Sequence, residues 1–160
     1  MHEKFIPVTL AVSNLRQYAD ICYDLLVQMS GSAQRSSERF EAIWIEAEHA
    51  YLKNGPYAEN ERAAFLSYFC RAMLPFIKKT ERRLTPQERL MLDAAFGSES
   101  RLSQFDSYFL RLSIRERLLL TLRDKIGLQM HEVSTILGKS NGSLQWLRME
   151  AFSSLERWIW

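Results

Sequence analysis

Between Met130 and Leu155 two apolar stripes of helical spacing are separated by a glycine, and this pattern restricts the fold more than any other stretch. Val133, Ile136 and Leu137 recur one turn apart and predict a first helix. Ser134 puts a small side chain where a second helix has to cross closely. Gly138 ends the first helix, because the left-handed backbone of a helix C-terminus strains glycine least. Ser140 or Asn141 can then accept from the free amides of the next helix. Leu144, Leu147, Ala151 and Leu155 stand three, four and four residues apart and form one buried stripe, which leaves Ser140, Asn141, Gln145, Trp146 and Met149 facing outward. The arrangement reads as a helix-turn-helix whose second helix would meet a DNA major groove. A plain helical hairpin with a glycine turn satisfies the same spacing.

The first half of the chain is also helical in pattern. Leu15, Tyr18, Cys22, Leu25, Leu26 and Met29 predict an amphipathic helix over about 13–29, capped by Ser13 or Asn14 and broken by Gly31-Ser32. Phe40, Ile43, Trp44, Ala47, Ala50 and Tyr51 predict a second over about 36–53, stopped by Asn54-Gly55-Pro56. Phe65, Tyr68, Phe69, Ala72, Met73 and Phe76 predict a third over about 60–79, with a kink or register shift at Pro75. Thr85-Pro86 then opens a short helix with Leu90, Met91, Ala94 and Ala95 on one side, ended by Gly97. No stretch alternates as a strand would, so the expected fold class is all-α.

Upstream of the helix-turn-helix, Leu112-Ser113-Ile114-Arg115-Glu116-Arg117 leads to Leu120 and Leu122, and Gly127-Leu128 precedes Glu132-Val133. The run L-S-x-R-E-R-x-x-L-x-L, G-L-x-x-x-E-V, L-G-x-S-x-G-S-L resembles the promoter-recognition region of bacterial sigma factors of the extracytoplasmic-function group, without a gap from Leu112 to Ala151. Ser37-Glu38-Arg39-Phe40 with Trp44 resembles that family's Q-E-x-F-x-x-x-W helix, and Phe65 to Arg71, followed by Arg82-Arg83, its F-x-x-W-L-x-R helix. An aromatic-rich three-helix core accounts for the same residues without sigma function. The resemblance implies two helical domains: residues 1–83 for polymerase binding and promoter melting, a linker with a short helix over 84–106, and a helix-turn-helix domain over 107–160. A single bundle, with that short helix as another member, is the alternative. It further implies RNA polymerase core and promoter DNA as partners, with an anti-sigma or other regulatory protein as a third. Glu38, Arg39 and Glu41 would face polymerase. Lys139, Ser140, Asn141, Ser143, Gln145, Trp146, Arg148 and Met149, together with Arg82 and Arg83, would face DNA.

The chain departs from the family at informative places. Ser32, Ala33 and Gln34 stand where the family carries Ala-Glu-Asp, so both acids are missing. In the recognition helix, Gln145, Leu147 and Glu150 occupy positions that are commonly basic, while Arg148 survives one position along. Each lost cation removes a phosphate contact and flattens the salt dependence of DNA binding. Gln145 and Asn141 retain the chemistry to read adenine, whereas an exposed Trp146 and Met149 suit protein contact. Two further readings therefore stand beside the sigma-like initiation factor: a degenerate sigma-like adaptor whose helix-turn-helix binds protein, and a stand-alone helix-turn-helix regulator.

Charge and composition narrow the function classes. Residues 1–77 carry a net −2, residues 78–110 a net +1 and residues 111–160 a net +3, so the basic excess lies with the helix-turn-helix but is weak for a dedicated nucleic-acid binder. His2, His49 and His131 are scattered, and Glu46 and Glu48 flank His49 without sharing a helix face. With no phosphate loop and no nucleophile elbow, the expectation is recognition rather than catalysis, with no cofactor and no metal. Cys22 and Cys70 each fall in an apolar helical pattern and read as reduced core thiols. The absence of an export signal pattern or a long apolar run predicts a cytoplasmic protein without membrane insertion.

Overall fold

A computed structural model describes residues 14–55, 60–83 and 109–159, and every regular element among them is helical. A 3₁₀ turn, Arg16–Tyr18, leads into α1, Ala19–Ser30. Gly31 closes α1 in the left-handed region at φ 71°, where the backbone favours glycine, and a Cβ there would lie 2.9 Å from Leu110 Cδ1, which would have to shift. The Ser32 side chain accepts from the Arg35 amide at 3.1 Å and starts α2, Ala33–Asn54, one turn earlier than apolar periodicity predicts. The first turn of α2, Ala33 to Ser36, holds no large apolar side chain and is exposed apart from Ser36, which is why an apolar pattern does not register it. Gly55 ends α2 at φ 73°.

The third helix, α3, spans Glu61–Arg83 and continues through Pro75. It supplies the centre of the core: Ala63, Ala64, Phe65, Leu66, Phe69 and Met73 are all buried. Aromatic rings converge on Phe65, with centroids at 4.9 Å for Trp44, 5.9 Å for Tyr51 and 6.1 Å for Tyr18. Cys22 and Cys70 are free and buried in this core, and loss of solvation pushes both thiols up, that of Cys70 to about 12. Thr85-Pro86 and the short helix expected after it fall in 84–108, outside the described residues.

The C-terminal elements are α4, Ile114–Leu120, a π turn over Thr121–Lys125, α5, Met130–Leu137, and α6, Asn141–Ile159. Ser113 and Glu116 form a reciprocal cap at the start of α4, satisfying an orphan amide at each side. Gly138 ends α5 at φ 66°, as the sequence predicts. Leu144, Ala151 and Leu155 form the buried stripe of α6, with Leu147 half-buried beside them.

The two helical sets share one apolar core. Leu118, Leu119, Leu122, Leu128, Val133, Ile136 and Leu144 continue the cluster built by α1, α2 and α3, while Phe109, Leu112, Leu120, Ala151 and Leu155 form a smaller cluster under α6. Helix α5 lies against α3, and α4 lies against α1. Arg117, fully enclosed, donates from Nη1 to the Met29 carbonyl at 3.1 Å. That carbonyl belongs to the last turn of α1, the negative end of its dipole, where a cation is favoured. Burial nonetheless draws the guanidinium down to about 10.

Candidate functional site

The helix-turn-helix has an inner and an outer face of opposite character. On the inner face Glu132, only 3% exposed, receives a fork from Arg62, with Nη2 at 2.7 Å from Oε1 and Nε at 3.0 Å from Oε2. Asn60 adds a bond from Nδ2 to Oε2 at 3.0 Å while its Oδ1 accepts from the Ala63 amide at the start of α3. The Gln129 amide completes the set at 3.4 Å, so one carboxylate starts α5 and joins it to α3. Burial opposes ionisation of Glu132, but the Arg62 hydrogen bonds and charge, with Gln129 and Asn60, together hold its pKa below the usual carboxylate value. Nothing in the apolar periodicity points to this residue. The spacing Gln129-x-x-Glu132 before an apolar run is the local signal that could have marked it as a capping pair.

On the outer face the recognition helix begins with Ser140, whose Oγ accepts from the Ser143 amide at 3.2 Å and donates to the Ser143 hydroxyl at 2.9 Å. Both hydroxyls are therefore engaged in starting α6. Lys139, Asn141 and Gln145 are exposed around them. Arg148 reaches back to the π turn while staying partly exposed: Nη2 lies 2.6 Å and Nε 3.0 Å from the Asp124 carboxylate, and its guanidinium sits 4.9 Å over the Phe152 ring. The hydrogen bonds to Asp124 raise its pKa. Arg148, the cation retained beside the positions that are commonly basic, is thus engaged in an intramolecular ion pair.

Trp146 and Met149, each 64% exposed, stand on this face one turn apart, as the stripe predicts. They line an open groove of about 470 Å³ together with Glu116, Glu150, Ser153 and Ser154.

The residues expected to face polymerase lie elsewhere, on α2. Glu38, Arg39 and Glu41 are all exposed there, with the Gln34 amide 3.5 Å from Glu38 Oε1. Phe40 and Trp44 pack beneath, their centroids 5.8 Å apart, and Trp44 Nε1 donates to Glu48 Oε1 at 2.6 Å. Glu48 therefore holds a core tryptophan in place. Arg82 and Arg83 fall in the last turn of α3, with side chains outside the described residues. No described helix is long and apolar enough to cross a membrane.

No protein-family model and no curated protein sequence matches the chain. Among solved structures it is similar to the sigma factor RpoE in a complex with the anti-sigma factor NepR from Bartonella quintana. The TM-score is 0.67 at 13% sequence identity, over 92% of this chain and 94% of that one. The chain therefore has a sigma-like fold, all-helical among the described residues.

Proposed function

We propose that this chain acts in transcription as a sigma-like initiation factor. It engages the RNA polymerase core through the charged outer face of α2, with Glu38, Arg39 and Glu41 as the contact residues, and turns α6 toward promoter DNA with Lys139, Asn141 and Gln145 foremost. The N-terminal helices act as the polymerase-binding and melting unit, residues 84–106 as a linker, and residues 107–160 as the promoter-reading unit. What carries the reading is the gapless sequence pattern from Leu112 to Ala151 lying in a chain whose fold is similar to a sigma factor over 92% of its length. A regulatory protein of the anti-sigma kind is the further partner that the RpoE complex suggests. The test is core-enzyme affinity of Glu38→Arg, with circular dichroism to verify folding. A large loss supports the α2 contact, and unchanged affinity in a folded variant removes it.

A second reading is favoured by the Arg148–Asp124 ion pair together with the exposure of Trp146 and Met149. In it the outer face of the helix-turn-helix meets protein rather than DNA, and the chain works as an adaptor on a sigma scaffold. Titrating a labelled promoter library at two salt concentrations separates the two, because phosphate contacts give binding a salt slope. Tighter binding at low salt that falls more steeply with salt in Glu150→Arg than in the wild type supports promoter reading. Absence of binding in both the wild type and this variant supports the adaptor.

A further inference from the structure

We infer that the groove beside Trp146 is the seat of a basic, apolar helical segment of a partner protein. The inference rests on the adaptor reading and gives the partner its chemistry. Trp146 and Met149 bring an indole and a thioether to the groove's lining, each 64% exposed, and such a surface is anchored by apolar and flat cationic side chains. Both ionisable residues lining the groove, Glu116 and Glu150, are carboxylates, and no Lys or Arg lines it among the described residues. Glu116 accepts from the Ser113 amide at 3.3 Å, so its position is fixed by the start of α4. Arg148, beside Met149 in the chain, is turned to Asp124 on the π turn, and of the two arginines flanking Glu116, Arg117 is enclosed and Arg115 is exposed but does not line the groove.

The groove therefore combines two exposed apolar side chains with two carboxylates and two serines. Phosphates are repelled by this arrangement. A guanidinium is matched three ways: it can stack on Trp146, pair with Glu116 or Glu150, and bring the aliphatic stem of its own side chain or an apolar neighbour onto Met149. Ser153 adds a hydroxyl at the edge of the groove. An amphipathic helix with an arginine and a leucine one turn apart presents this chemistry.

The probe is a fluorescent helical peptide carrying arginine and leucine at i and i+4 on one face, titrated against the full chain. A peptide with glutamate in place of arginine serves as the control. Expected is saturable binding of the arginine peptide, weakened about tenfold or more by Trp146→Ala and by Glu150→Lys, with no binding of the glutamate peptide. Trp146→Phe should retain most of the affinity. Because Trp146 and Glu150 are exposed, both variants should melt like the wild type.

Equal binding of the two peptides, or affinity untouched by Trp146→Ala, overturns the proposal. So does a dimer in sedimentation that dissociates in Trp146→Ala, which would make a second copy the occupant. Failure of the adaptor reading is distinguishable. It shows as promoter DNA binding that Trp146→Ala abolishes, whereas a Trp146-dependent cross-link to a partner segment that is acidic keeps that reading and overturns the basic partner.

Discussion

The inner and outer faces of the helix-turn-helix carry similar groups in opposite circumstances. Glu132 on the inner face is enclosed and met by Arg62, Asn60 and the Gln129 amide, whereas Glu150 on the outer face is exposed beside an open groove. Apolar side chains divide the same way: Val133 is fully enclosed against the N-terminal helices, and Trp146 is not. The inner face of the helix-turn-helix is joined to α3, whereas among the described residues Trp146 and Met149 on the outer face of α6 stay exposed. Specificity in this molecule is therefore to be sought at α6, and stability at the α3–α5 seam.

The strongest way to break this contrast is to remove Arg62. Arg62→Ala leaves the Glu132 carboxylate buried with only Asn60 and an amide, and should cost about 2–4 kcal/mol, less than a fully enclosed pair because Arg62 is itself partly exposed. At this chain length that is a fall in melting temperature of roughly 5–12 °C. A calorimetric scan with a shift under about 2 °C would mean that the seam is apolar packing alone.

Acid sharpens the same point. The folded pKa of Glu132 is depressed, so its contribution is fully present above the unfolded value of about 4.3 and is lost as pH falls through the folded value. The stability gap between wild type and Glu132→Gln should hold at neutral pH and narrow below about pH 4. A gap that stays constant down to pH 2 would remove the ion pair as its cause.

Helix caps should follow, at about 1 kcal/mol each. Ser113→Ala removes the side chain that accepts from the Glu116 amide, and Ser32→Ala the one that starts α2. Urea melts of both should shift the midpoint without changing the slope. Smallest of all is the outer face, where Trp146→Ala and Met149→Ala should change stability by no more than about 0.5 kcal/mol. A larger loss would show that α6 depends on these side chains for folding, and would close the contrast from the other side.

Local pattern accounts for a good part of what the chain adopts. The one-turn spacing of Val133, Ile136 and Leu137, the left-handed position at Gly138 and the stripe from Leu144 to Leu155 each depend on neighbours within a few residues, and so does the outward aim of Trp146 and Met149. Periodicity missed the true start of α2 because its first turn carries no large apolar side chain, so that only Ser32 as a cap marks it. Continuation of α3 beyond Lys79 was missed for a related reason, since Thr80-Glu81-Arg82-Arg83 carries no apolar side chain.

Tertiary structure decided the charges. Arg62 and Glu132 are 70 residues apart, Arg117 and Met29 are 88 apart, and Arg148 and Asp124 are 24 apart. An apolar side chain announces its burial through helical spacing, because any neighbouring apolar surface satisfies it. A buried charge needs one particular partner at hydrogen-bond distance, and that partner can come from anywhere in the chain. Hence Arg148, which by sequence alone is the recognition helix's surviving cation, ends bound to the π turn, and only the packing of α6 against that turn determines it.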